Sequence, residues 1–166
     1  MRHLISMLLQ NEAGALARVA GLFASRGYNI ESLTVAATHD EAVSRLTLVV
    51  FGDDITVDQV VKQTAKLVDV IDVAELTRKE HLERELSVVR VEGGGPALDD
   101  YLVRTGARLL RRENGQALVE YTGGTDEVDG FVDGLRAIAR LTDQARSGVA
   151  AIASQESRTG AAPTLR

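Results

Sequence analysis

Leu4-Ile5-Ser6-Met7-Leu8-Leu9, then Asn11-Glu12-Ala13-Gly14-Ala15-Leu16-Ala17-Arg18-Val19-Ala20-Gly21-Leu22-Phe23, then Gly27-Tyr28-Asn29, is the stretch that decides the fold. The first run is apolar and of strand length. Leu16, Val19, Ala20 and Phe23 then fall at i, i+3, i+4 and i+7, the spacing of a helix with one apolar face. Gly27 supplies the left-handed conformation that a helix stop favours. A strand feeding a helix through a short polar loop is how a βα unit opens.

Outward from there the order continues. Ile30–Ala37 carries Leu33 and Val35 at period two, and Val43–Phe51 carries Leu46, Leu48 and Val50 on one face, Val49 and Phe51 on the other. Thr38-His39-Asp40-Glu41 joins them as a hairpin. Gly52-Asp53-Asp54 precedes a second helix with Val57, Val60, Val61, Leu67 and Val68, and residues 70–76 read as a closing strand. The unit is β-α-β-β-α-β.

The polar run TRKEHLER, residues 77–84, reads as a connector. Beyond it the order restarts: a strand at Leu86-Ser87-Val88-Val89-Arg90-Val91, a Gly93-Gly94-Gly95-Pro96 loop, and a short helix at Leu98, Tyr101 and Leu102. Strands at 107–111 and 116–121 flank Asn114-Gly115, a hairpin-turn pair. Val128, Phe131, Val132, Leu135 and Ile138 stripe a last helix, and residues 141–145 read as its returning strand. The expectation is an α+β chain of two ferredoxin-like βαββαβ domains in tandem, at 1–77 and 85–153, with a linker at 78–84 and a disordered tail at 154–166. Two helices cover one face of such a sheet. Val49 and Phe51 would leave the other face apolar, which argues for at least a homodimer.

Composition narrows the function. With 19 Lys and Arg against 24 Asp and Glu, the net charge of −5 disfavours a nucleic-acid partner. The absence of cysteine excludes disulfides, thiolate metal sites and cysteine nucleophiles. The apolar run at the N-terminus turns polar at Gln10, too soon to span a bilayer, so no membrane partner and a cytoplasmic location are expected. His3, His39 and His81 lie at a strand start, a hairpin tip and the connector, without metal-ligand spacing. No nucleophile or phosphate-loop motif occurs, so no catalytic residue and no metal site is expected. Asp53-Asp54 and Asp99-Asp100 fall near helix starts, where the helix dipole accounts for them.

Asn11-Glu12-Ala13-Gly14-Ala15-Leu16 is the one stretch whose residue types suit a ligand. A helix start offers free N–H groups to a carboxylate, and Gly14 permits close approach. Asn11 is equally suited to capping those N–H groups itself. Asn29 is suited to a turn.

The run 11–19, followed by Gly21-Leu22-Phe23-Ala24-Ser25-Arg26-Gly27-Tyr28-Asn29-Ile30-Glu31-Ser32-Leu33-Thr34-Val35-Ala36, resembles the small regulatory subunit of acetohydroxyacid synthase, also called acetolactate synthase. Ser44-Arg45, the K-Q-x-x-K-L-V-D-V run from Lys62, Glu83-Arg84-Glu85-Leu86, Val119-Glu120-Tyr121-Thr122-Gly123 and Ala145-Arg146-Ser147-Gly148 extend the resemblance over about residues 1–150. Residues 92–116 depart most.

The resemblance implies an N-terminal ACT domain, a related C-terminal domain, and dimerisation through the ACT domains with valine bound at that interface. It implies a non-catalytic chain that activates the large catalytic subunit (pyruvate to 2-acetolactate) and confers valine feedback on branched-chain amino acid biosynthesis. Thiamine diphosphate, magnesium and FAD would belong to that partner, and this chain would hold no cofactor. Carried onto matching positions, Asn11, Ala13, Gly14, Ala15 and Leu16 would receive the carboxylate end of valine, and the partner's Asn29 and Ile30 its ammonium. Leu16, Leu33 and Val35 suit both the ligand's side chain and core packing. Ala36 and Gln59 match feedback-associated positions, and Ala17 stands where some relatives have Ser. On this placement Gly14→Asp sets one carboxylate against another. Arg146-Ser147-Gly148 suits either docking of the catalytic partner or an ordinary strand end. The alternatives are a stand-alone amino-acid sensor, a nucleic-acid module and a small hydrolase, in falling order of fit.

Overall fold

The computed structural model describes residues 1–154. Its elements run β1 (Arg2–Gln10), α1 (Ala15–Ser25), β2 (Ile30–Ala37), β3 (Val43–Phe51), α2 (Asp54–Thr64), β4 (Val70–Glu75), β5 (His81–Glu92), α3 (Gly95–Thr105), β6 (Arg108–Glu113), β7 (Gln116–Gly123), α4 (Thr125–Ile138), β8 (Arg140–Arg146) and β9 (Ala150–Ala153). Two antiparallel sheets result, ordered β2-β3-β1-β4 and β6-β7-β5-β8. The shared order is the split βαβ arrangement, repeated.

Alternation along β1 sets the first core. Ile5, Met7 and Leu9 face the helices with Leu46, Leu48 and Val50, and Val19, Phe23, Val57 and Val60 close over them. In the second unit Val89, Val91, Leu98, Phe131 and Leu135 do the same. Asn114 and Gly115, at φ 52 and 76, make the tight turn that the pair favours.

Four expectations change. The connector is shorter than 77–84, because His81–Arg84 already belong to β5 and pair with β9, a strand absent from the sequence reading. Backbone ladder bonds hold these polar residues extended whatever their side chains, so composition does not betray them. The glycine loop is partly helix: Gly94 is the cap, at φ 84, and Pro96 lies in the first turn. Asp99 consequently stands in the second turn of α3, paired with Arg112 rather than at the helix start. The helix-free face of the first sheet is also covered in part by its own chain, with Leu4 and Val49 buried against Val149 and Ala151. Phe51 remains 58% exposed. The expected tail lies, beyond Ser154, outside the described residues.

Candidate functional site

The loop between β1 and α1 is built by long-range bonds. Gln10 N–H donates to the Asp69 carbonyl and Asn11 N–H to the Ala42 carbonyl, each at 2.8 Å. The Asn11 side chain donates to the Glu41 carbonyl at 2.9 Å and accepts from Ser44 Oγ at 2.9 Å. Asn11 is thus a strut between this loop and the β2–β3 hairpin, not the cap of α1. The cap is Gly14, left-handed at φ 89, with no side chain serving the helix start. Ala15 N–H reaches the Glu12 carbonyl at 3.3 Å, and among the described residues Leu16 and Ala17 N–H have no backbone acceptor. Open amides at the positive end of a helix suit a carboxylate.

Arg18 completes this end and was missed from sequence. Its Nε and Nη2 grip Asp69 at 2.5 and 2.7 Å. Its Nη1 hangs over the loop, 2.9 Å from where a Gly14 Cβ would stand. The hydrogen bond from Arg18 holds the nearly buried Asp69 carboxyl below its ordinary range, against the desolvation that opposes it. The only signal in the sequence was the spacing of Gly14 and Arg18, one helical turn apart; Asp69 is distant in the chain.

The remaining predicted residues divide into two groups. Leu16 and Val35, each 39% exposed, lie on the helix side. Leu33 packs on the core. Ala36 pairs with Arg45 on β3 and belongs to the helix-free side, lining a groove with Leu8, Thr47 and Ile152. Ala13 and Ala17 are exposed beside Gly14, Ala15 is buried, and Gln59 is exposed on α2. Asn29 and Ile30 are elsewhere: Gln10 stands opposite Val43, whereas Ile30 stands opposite Val50. Seven residues of strand separate the two, about 24 Å at ~3.4 Å per residue. Within one chain, Asn29 and Asn11 are at opposite ends of the sheet. β2 and β4 are the two outer strands of this sheet, and β2 has one edge unpaired among the described residues.

Two of the three histidines are tied to neighbouring groups. His3, buried, shares a hydrogen bond with Glu75 at 2.9 Å and faces the Gly52 carbonyl at 3.3 Å. His81 faces the Lys79 carbonyl at 2.7 Å, and His39 is exposed in the β2–β3 turn. Asp53 caps α2, accepting from Thr56 N–H at 2.9 Å.

A βαββαβ unit with an amide-lined loop and an open-edged β2 is a ferredoxin-like domain, and the comparisons place it among ACT domains. The family described as AHAS small subunit-like ACT domain matches residues 5–72. The chain is 43% identical over 157 residues to the acetolactate synthase isozyme 3 small subunit of Salmonella typhimurium, covering 90% of this chain and 93% of that one. A probable acetolactate synthase small subunit of Archaeoglobus fulgidus is 41% identical over 155 residues, covering 92% and 96%. The solved acetolactate synthase small subunit of Thermotoga maritima superposes at a TM-score of 0.83 with 31% identity, covering 93% of this chain and 98% of that one. The chain belongs to the acetolactate synthase small-subunit family, whose role in branched-chain amino acid synthesis is regulatory. No helix among the described residues is long and apolar enough to cross a membrane.

Proposed function

We propose that this chain is a non-catalytic, cytoplasmic subunit that activates a large acetolactate synthase subunit and renders it sensitive to valine through a site shared by two copies. One observation carries this reading: the amide-lined loop and Asn29 are a sheet length apart in one chain, on a unit whose β2 edge is free. Antiparallel pairing of β2 with the same strand of a second copy, centred near Leu33, sets the partner's Ile30 beside Ala36. The partner's Asn29 then faces the Asn11 end. The carboxylate of valine binds the Leu16 and Ala17 amides and Arg18 Nη1, with Gly14 leaving room; Ala13 and Ala15 shape the loop and Asn11 holds it. The partner's Asn29 side chain and Ile30 carbonyl accept from the ammonium, and Leu16 and Val35 flank the isopropyl group. Ala17, Ala36 and Gln59 act around the site.

Thiamine diphosphate, magnesium and FAD are assigned to the catalytic subunit. Valine acts by linkage: preferring one dimer geometry by about 1–3 kcal/mol is enough to shift the partner's activity measurably.

Calorimetric titration with valine, against leucine and lysine, is the test. Saturable valine binding near one site per β2–β2 interface is expected, lost in Asn29→Ala while that variant melts like the parent. Retained binding in Asn29→Ala, or absence of binding by a dimeric, folded parent, would falsify the shared site.

A further inference from the structure

Strand β2 is held from its helix-free side by the segment that follows β8. The Thr34 hydroxyl donates to the Ser147 carbonyl at 3.2 Å, and Val149 N–H donates to Ser32 Oγ at 3.2 Å. Between these bonds Gly148 sits at φ +77. A Cβ there would lie 2.7 Å from Thr34 Oγ1, 2.8 Å from Ser32 Oγ and 3.3 Å from the Leu33 carbonyl oxygen. The backbone therefore presses on the strand with no space for a side chain, and its conformation favours glycine independently.

The same segment is fused to the second unit. Ser147 N–H donates to the Leu86 carbonyl at 2.9 Å, and Leu86 N–H donates back to Ser147 Oγ at 3.0 Å. Arg146 binds Glu85 of β5 and reaches Asp129 of α4 at 2.6 Å. Val149 and Ala151 are buried against Leu4 and Val49 of the first sheet.

We infer that Ser147-Gly148-Val149 is a latch that positions β2 for the effector site and couples that site to the second βαββαβ unit. The inference rests on the valine reading, because β2 is the strand that begins at Ile30, just after Asn29, and carries Val35 and Ala36. The strand is restrained on three sides: by the β3 ladder, by Leu33 in the core and by the latch. Its fourth side is the edge offered to a second copy. Packed groups with no slack move together. A displacement of β2 on ligand binding therefore carries residues 147–149 with it, and Arg146 passes it to β5 and α4, which it ties together. Ligand and latch bias one strand, which is the condition for coupling between them.

The experiment uses the full chain reconstituted with its catalytic subunit, measuring acetolactate formation against valine. Ser32→Ala/Thr34→Val removes both latch hydroxyls and leaves the Gly148 backbone unburdened. The expected result is an inhibition midpoint raised about tenfold, the worth of two ordinary hydrogen bonds, with uninhibited activity within about twofold. A second variant, Gly148→Ala, sets a methyl group against both hydroxyls and the Leu33 carbonyl at a φ that disfavours a side chain, and it should raise the midpoint in the same direction. Equal inhibition in the parent, the hydroxyl variant and Gly148→Ala overturns the latch while leaving the valine site standing. A parent that neither binds nor responds to valine overturns the underlying reading, and the latch falls with it.

Discussion

A methyl group at position 14 meets two obstacles, a φ of +89 and Arg18 Nη1 only 2.9 Å away. The guanidinium end can swing aside, but the backbone cannot, so Gly14→Ala should cost about 1–2 kcal/mol. A lower denaturant midpoint with an unchanged slope would be the reading. Gly14→Asp does more than repel an incoming carboxylate, since it offers Arg18 a second acceptor beside Asp69. Loss of valine binding in that variant therefore mixes repulsion with rearrangement, and Asn29→Ala is the cleaner probe. Asp69 itself gives a pH signature. The hydrogen bond from Arg18 lowers its folded pKa below the ordinary 3.8. The unfolded chain then binds the proton first on acidification, so this stability is complete above the ordinary value and lost as pH falls through the folded one. Thermal melts taken downward from about pH 5 should fall less steeply for Asp69→Asn than for the parent. At this scale Asn11 and Gly14 were singled out by residue type alone. The strut role of Asn11 was not, because Glu41 and Ser44 reach it only after the hairpin folds back.

The helix starts show how much local sequence can say. Asp53 accepts from both the amide and the hydroxyl of Thr56 at 2.9 Å, so Asp53→Ala should cost about 1 kcal/mol by loss of the cap. Helix α1 has no such cap, and its open amides are available to a ligand instead. The apolar stripe of α1 needs no tertiary information, since Val19 and Phe23 repeat on one face and both are fully buried. Phe23→Ala should cost about 3–5 kcal/mol, read by denaturant melts. Strand β5 is the opposite case. Its first four residues, His81-Leu82-Glu83-Arg84, read as a connector because they alternate poorly and carry charge. They are a strand because β9 pairs with them, from Ala153 opposite His81 to Ala150 opposite Arg84.

Across the whole molecule, the segment that packs on the first unit through Val149 and Ala151 is anchored in the second by a buried ion pair. The Glu85 side chain is 3% exposed and meets Arg146, which is 33% exposed and also binds Asp129. Arg146→Ala leaves a buried carboxylate without its cation, and about 2 kcal/mol of lost stability is expected, less than for a fully buried pair because Arg146 is partly wet. Glu85→Gln in the same background should recover part of it, which a double-mutant cycle measures. What the sequence alone determined is the order of strands and helices as far as β8, and the two apolar cores. Each is written in spacing over a few residues, the range over which burial imposes a period. Tertiary structure alone decided that β9 crosses back to β5, that Gly148 presses on β2, that Arg18 and Asp69 furnish the helix start, and that Asn29 lies a sheet length from Asn11. The first three depend on partners 50 or more residues apart that the folded sheets bring together, and the last on the register of β2 and β1 against β3, for none of which a local period exists.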